Sequence, residues 1–128
     1  MKQAFMIPGR LAGLNDFVAA ANSNRHKYNA LKRAEQDRVI LFCRTSGIKP
    51  VDKTINLVIV CYEPNMKRDK SNVRSGAEKI IEDALQDAGI IRNDNWAGIA
   101  ETRTKVMLDR ENPRVIVYIE EVDALVQT

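Results

Sequence analysis

A β-branched run followed by a regularly patterned helix constrains this chain more than any other feature. Residues 54–62 read Thr-Ile-Asn-Leu-Val-Ile-Val-Cys-Tyr, which is typical of a largely buried strand. Residues 67–72, Lys-Arg-Asp-Lys-Ser-Asn, then lead into a segment whose apolar side chains recur at helical spacing. A carboxylate at such a junction stands on rigid supports at the rim of a sheet, although a plain polar loop is the ordinary alternative. The apolar helix positions are Val73, Ala77, Ile80, Ile81, Ala84, Leu85 and Ala88.

The ends of this helix carry recognisable signals. Two residues satisfy the preference for a cap at its start: Asn72, and Ser75, which opens a Ser-Gly-Ala-Glu capping box. If Ser75 is the cap, Asn72 is free for another role. Gly89, with apolar Ile90 after it, predicts a left-handed stop.

The first half of the chain predicts one strand and two helices. Residues 3–7 form the strand, which a Pro-Gly-Arg turn closes. Asn15 is a suitable cap for a short helix over residues 16–21, and a longer helix is predicted over residues 27–45, ending before Gly47 and Pro50. We expect its inward residues to be Leu31, Ala34, Leu41 and Phe42.

The second half predicts two further strands. The Asn-Asp-Asn sequence at residues 93–95 is turn chemistry. Residues 102–108 and 115–119 are predicted strands, and the loop at 109–113 favours a hairpin between them. The expected fold is a single α+β domain over residues 1–128, with helices on one face of a mixed four-stranded sheet. Strands this apolar need a cover on the other face, either a dimer interface or another buried contact.

Composition excludes several kinds of site. His26 is the only histidine, so histidine-cluster zinc sites and HNH-type nucleases are excluded, and carboxylates with a lysine must carry any chemistry. Cys43 and Cys61 each stand in an apolar run without CxxC spacing, which predicts buried, reduced thiols. No apolar run approaches the roughly 20 residues that span a bilayer, and residues 1–8 are too short for a signal peptide. We therefore expect a cytoplasmic protein without a membrane partner.

The net charge of +3 is mild, but the basic residues are grouped. Clusters at residues 25–27, 32–33, 67–70 and 103–105 suit a polyanion if they share one face, and otherwise form a solvated surface.

Three stretches, taken together and in order, resemble the RusA family of Holliday junction resolvases, which are endodeoxyribonucleases of phages and prophages. They are Ile-Pro-Gly-Arg at residues 7–10 with Leu-Asn at 14–15, Lys-Arg-Asp-Lys-Ser-Asn at 67–72, and Asp-Ala-Leu at 83–85 followed by Ala-Gly-Ile at 88–90 and Asn-Asp at 93–94. Asn-Pro-Arg-Val at residues 112–115 also fits family members. The resemblance covers nearly the whole chain.

The resemblance implies a magnesium-dependent nuclease site. Asp69 and Asp94 match family aspartates and would be catalytic metal ligands, Asn72 would orient a ligand or a phosphate, and Lys79 would stabilise the phosphate or leaving oxygen. Mg²⁺ needs only one or two direct carboxylates, and it both stabilises phosphoryl charge and activates water. The implied partner is branched DNA, a four-way junction bound by a homodimer. The basic residues that would contact its phosphates are Lys67, Arg68, Lys70, Arg74 and Arg10.

One position departs from the family pattern of Asp-x-Asp-Asn. Ser71 stands where the second aspartate belongs, which removes one charge from the metal site, although a hydroxyl can still touch a metal-bound water. Glu78 and Glu82, on the following helix, are candidates to replace that carboxylate. Two hypotheses follow: an active junction resolvase, or a dimer of the same descent that binds branched DNA without cutting.

Overall fold

A computed structural model describes residues 2–92 and 98–122, and in this part of the chain the elements follow the predicted order. They are β1 (Lys2–Pro8), α1 (Leu14–Ser23), α2 (Arg25–Thr45), β2 (Ile55–Glu63), α3 (Lys70–Asp87), β3 (Ile99–Leu108) and β4 (Arg114–Glu121). The strands form one four-stranded sheet in the order β1-β4-β2-β3. β2 is parallel to β3, whereas β4 is antiparallel to both β1 and β2, so the predicted α+β fold with a mixed sheet is confirmed.

The predicted hairpin is wrong, because β2 lies between β3 and β4. A five-residue loop is compatible with a hairpin, but here it crosses over the end of β2. The backbone N–H of Asp109 donates to the carbonyl of Glu63 at 2.8 Å, and Gly9 N–H donates to the carbonyl of Pro113 at 2.9 Å. The most apolar strand thereby takes a central position with a partner on each side, which the local pattern did not show.

The helices cover one face of the sheet, as predicted. Along β2 the side chains alternate strictly between buried and half-buried, since successive residues point to opposite faces. The buried side packs on α2 and α3, and the most deeply buried side chains of this core are Ile7, Ile55, Leu57, Ile59, Ile80, Ile81, Leu85 and Ile119.

The first two helices differ in detail from the sequence prediction. Gly13, not Asn15, is the N-cap of α1. α2 begins at Arg25, where the Asn24 side chain accepts a hydrogen bond from Lys27 N–H at 2.8 Å. The buried side chains of α2 are Gln36, Val39 and Cys43. Ala34 is exposed and Leu41 is 55% exposed, so the prediction that these two face inward is wrong. Leu31 and Phe42 are partly buried against the core, as predicted.

α3 begins earlier than either predicted cap. Its N-cap is Asp69, so neither Asn72 nor Ser75 occupies that position. The predicted stop at Gly89 is confirmed, with a φ of +74°. Gly89 N–H donates to the Gln86 carbonyl at 3.0 Å and Ile90 N–H to the Leu85 carbonyl at 2.9 Å, which is the Schellman pattern.

Both cysteines are free and buried, as predicted. Burial raises the pKa of Cys43 to about 11. Burial, reinforced by the nearby Glu63 carboxylate, raises the pKa of Cys61 to about 12. Neither thiol is therefore ionised near neutral pH, so neither is a nucleophile. Over residues 2–92 and 98–122, no helix is long and apolar enough to cross a membrane.

Candidate functional site at the C-terminal end of β2

The candidate site lies where β2 ends and α3 begins. Because β2 and β3 are parallel, their C-terminal ends meet at one edge of the sheet, and the N-terminus of α3 opens beside them. A depression of about 340 Å³ occupies this edge. It is lined by Glu63, Asn65, Met66, Arg68, Asp69, Lys70, Val106, Met107 and Leu108.

Asp69 is the uncommitted carboxylate of this depression. It is exposed and holds the N-cap position of α3, yet its side chain makes no capping hydrogen bond. Its backbone carbonyl accepts a hydrogen bond from Val73 N–H at 3.1 Å, whereas its carboxylate takes part in no hydrogen bond or ion pair with the described residues. The oxygens are thus available to a ligand, and the first turn of α3 adds its own free N–H groups at the same place.

Four more predicted site residues surround Asp69 in the sequence, and all four side chains are exposed: Lys67, Lys70, Ser71 and Arg74. Ser71 is the second residue of α3, so its hydroxyl lies within one helical turn of Asp69. The three cations among them, Lys67, Lys70 and Arg74, suit contact with phosphates, because solvated ammonium and guanidinium groups bind the nucleic-acid backbone without reading its sequence.

Arg68 and Arg10, also predicted to bind DNA, share a partner that the sequence analysis missed. Glu63 is only 4% exposed and receives both guanidinium groups. Its Oε1 lies 2.7 Å from Arg10 Nη2 and 2.8 Å from Arg68 Nη2. Glu63 continues the alternation of β2 onto the buried face, and that alternation is the signal that a charged partner was needed.

The same arginine ties the candidate site to the loop before α1. Arg68 Nη1 donates to the Leu11 carbonyl at 3.1 Å, and Arg38 donates to the Arg10 carbonyl. Ala12 N–H donates to Glu35 at 3.0 Å. Residues 9–13 are therefore held from α2, from the loop before β4 and from the segment before α3.

Asn72 has a structural partner in this arrangement. It is 8% exposed, and its Oδ1 accepts a hydrogen bond from Asn15 N–H in the first turn of α1 at 2.8 Å. Gly13, the N-cap of α1, has no side chain of its own, so Asn72 supplies the missing cap from a different helix. A Cβ at Gly13 would lie 2.7 Å from the Asn72 oxygen, which explains the glycine.

Lys79 lies in a different cavity from Asp69. This cavity, of about 280 Å³, is bounded by α1, α2 and α3, and Lys79 Nζ lies there 3.3 Å from Asp83 Oδ2. Ten residues of helix separate Lys79 from Asp69, a rise of about 15 Å. Within one protomer the two side chains are therefore not brought together, and a role for Lys79 at Asp69 stays a prediction.

The two glutamates considered as replacements for the missing aspartate face β3. Glu78 Oε2 accepts a hydrogen bond from Thr104 Oγ1 at 2.6 Å, and Glu82 Oε2 accepts one from Thr102 Oγ1 at 3.0 Å. These hydrogen bonds hold α3 against β3. One oxygen of each carboxylate therefore accepts from a threonine of β3.

Asp94 lies outside the described residues, so its pairing with Asp69 stays a prediction. The carbonyl of Gly98, four residues further along the chain, accepts a hydrogen bond from Ile55 N–H at 3.0 Å. Ile55 begins β2 and Glu63 ends it, so Gly98 lies at the other end of this strand from the candidate site. Over the described chain, no group of three or more histidine, cysteine or acidic side chains is arranged to hold a metal. Asp69 would offer Mg²⁺ a single carboxylate, which is compatible with an ion that keeps most of its waters.

Comparison of the chain with models of known protein families gives no match, and neither does comparison with curated proteins.

Proposed function

We propose that this protein is a magnesium-dependent, structure-specific endodeoxyribonuclease that resolves four-way DNA junctions by paired nicks. The observation that carries the proposal is Asp69: an exposed carboxylate without a partner among residues 2–92 and 98–122, held on the rim of a sheet among exposed cations. The proposal rests equally on the resemblance of residues 67–72 and 83–94 to RusA-family resolvases.

Asp69 would hold the metal, with Ser71 touching one of its waters. Asp94 stays the predicted second ligand, although its described neighbours Arg92 and Gly98 lie beyond the C-terminal end of α3 and at the N-terminal end of β2. When bound, Mg²⁺ supplies the Lewis acidity that stabilises phosphoryl charge and a water of lowered pKa. The chain itself supplies orientation. Glu63 and Arg68 fix the backbone that precedes Asp69, and Asn72 fixes α1 beside it, so the backbone that carries the carboxylate has a defined position before DNA arrives.

Binding would come from Lys67, Lys70 and Arg74, whose solvated side chains are free to meet phosphates. Arg68 and Arg10 contribute through their ion pairs with Glu63 more than through direct contact, because the Arg68 side chain is only 18% exposed. We further propose that the protein acts in the cytoplasm as a homodimer, since a two-fold dimer presents two equivalent sites to a nearly symmetric junction.

Ser71 favours a second candidate function. Without the charge of the family's second aspartate, the protein would bind branched DNA as a dimer and leave it uncut. The cations of residues 67–74 are equally consistent with this second function, because phosphate contacts give affinity without chemistry.

A synthetic four-way junction separates the two candidates. We expect the native protein to nick it with Mg²⁺, Asp94→Asn to abolish nicking, and Ser71→Asp to raise the rate. Ser71→Asn is the matched control, because asparagine has nearly the size and shape of aspartate but carries no charge. A native protein that binds the junction but cuts only after Ser71→Asp would contradict the first function and support the second. Absence of junction binding at low salt would contradict both.

A further inference from the structure

The loop between β2 and α3 presents a methionine to solvent beside the candidate site. Met66 is 80% exposed, more than any other large apolar side chain of residues 2–92 and 98–122. Met107 and Leu108, at the end of the edge strand β3, are also exposed, and all three line the depression that holds Asp69. One exposed apolar side chain is ordinary on a protein surface, but three around one depression form an apolar patch that a ligand can cover.

The loop that carries Met66 is held at both ends. Arg68 Nη2, five residues after Glu63, donates to the two carboxylate oxygens of Glu63 at 2.8 and 2.9 Å. Inside the loop, the Asn65 side chain accepts a hydrogen bond from Lys67 N–H at 3.0 Å, which is an Asx turn with Met66 at its centre. The backbone under Met66 is therefore supported by its neighbours, while its own side chain extends into solvent.

The charges around Met66 suit a polyanion. Lys67 and Lys70 follow it in the sequence and are exposed, as is Arg74 one turn further along α3. The carboxylate of Asp69 stands among them, where the proposed metal ion would offset its charge. DNA-bending proteins use this combination: cations hold the phosphates, and an apolar side chain such as methionine enters a base step and unstacks it.

We propose that Met66 is a wedge that enters the branch point of a four-way DNA junction and unstacks a base there. The inference rests on the proposed function and deepens it, because it names the residue that distinguishes branched DNA from a linear duplex. Unstacking costs free energy, and the cost is smallest where the stack of base pairs is already interrupted, as it is at a branch point. A wedge therefore favours branched DNA without reading the identity of any base. Methionine suits this role, since its unbranched side chain adapts to an irregular gap.

A junction that carries 2-aminopurine beside the branch point tests the wedge, because this base fluoresces more strongly when it is unstacked. With Ca²⁺ in place of Mg²⁺, to keep the junction folded and uncut, the native protein should raise the fluorescence of the junction. It should leave a linear duplex with the same label unchanged. Met66→Ala should lose most of the rise and bind the junction about tenfold more weakly, with its affinity for the duplex within about twofold of the native value. Met66→Leu, which conserves volume and apolar character, should keep both the rise and the affinity.

Lys67→Ala is the matched control in the same loop. It should weaken binding to the junction and to the linear duplex alike, and reduce the salt dependence by about one phosphate contact, because a phosphate contact does not depend on branching. The fluorescence rise at saturating protein should persist. Both side chains are exposed, so neither variant removes a core contact, and circular dichroism checks that the variants are folded.

The outcomes separate the wedge from the proposed function. A native protein that binds the junction without a fluorescence rise, or a Met66→Ala variant that keeps the rise, would overturn the wedge alone, since nicking in Mg²⁺ is measured separately. A rise that depends on Met66 in a protein that never nicks would support the wedge and contradict cleavage. Absence of junction binding would contradict both.

Discussion

At the scale of single residues, Asp69 and Glu63 show how two nearby carboxylates acquire opposite roles. Glu63 is buried and receives two arginines, so its charge serves the fold. Asp69 is exposed and receives no cation from the described part of the chain, so its charge is available. The difference comes from position: Glu63 continues the inward side of β2, whereas Asp69 stands on the first turn of α3 at the rim.

This difference predicts opposite effects on stability. Asp69→Asn should leave the free energy of unfolding within about 0.5 kcal/mol of the native value, since no contact is lost. Glu63→Gln should lower it by about 2–4 kcal/mol, because two partly buried guanidinium groups lose their counter-charge. Urea unfolding of the two variants measures this. Equal stability of both would contradict the structural role of Glu63.

Asn72 provides a second test at this scale. Asn72→Ala should lower the free energy of unfolding by about 1–2 kcal/mol, because α1 loses the acceptor that caps its first turn. Asn72→Asp is the matched control, since it keeps an oxygen at the same place. The same measurement in both variants decides it: an alanine variant as stable as the aspartate variant would show that the cap is not needed.

At the scale of elements, the sequence predicted those features that depend on a regular local pattern of apolar residues. The strand at 54–62 and the apolar side of the following helix are regular, and Gly89 ends that helix where expected, because these features depend on neighbours in the chain. The hairpin was wrong since the insertion of β2 between β3 and β4 is a long-range choice. The cap supplied by Asn72 joins residues 57 positions apart, and no local pattern encodes it.

Packing between elements gives a prediction of its own. α3 approaches the loop before α1 so closely that a Cβ at Gly76 would lie 2.3 Å from the Ala12 carbonyl oxygen. Gly76→Ala should therefore lower the free energy of unfolding by about 1–3 kcal/mol, as overpacking does, despite alanine's better helix propensity. Thermal unfolding, with Ser75→Ala as the neighbouring control, measures it; a stabilised Gly76→Ala would mean that the contact is not this close in solution.

At the scale of the whole molecule, the proposed homodimer bears on the proposed function. A two-fold axis parallel to the strands would keep the C-terminal ends of both β2 strands at the same end of the dimer. Both Asp69 carboxylates would then face the same side, where one junction can meet them together. A two-fold axis perpendicular to the strands, in the plane of the sheet, would place them at opposite ends.

The candidate site was predictable from sequence only in part. Asp69 and its basic neighbours were predicted because they follow a buried strand and carry a family resemblance, and the structure shows only that Asp69, Lys67, Lys70 and Arg74 are exposed at the start of α3. Glu63 was missed because its importance depends on two arginines that the fold brings to it. Asn72 and Lys79 were given roles at the site, whereas the structure commits the first to α1 and sets the second in another cavity.

Junction cleavage by Asp69→Asn is the most direct test of the central claim. With Mg²⁺ and a four-way junction, the native protein should nick opposing strands, and Asp69→Asn should bind with similar affinity while its cleavage rate falls by at least ~100-fold. Asp87→Asn, which changes another exposed carboxylate of α3, should cut at the native rate. Cleavage at the native rate by Asp69→Asn would contradict the account.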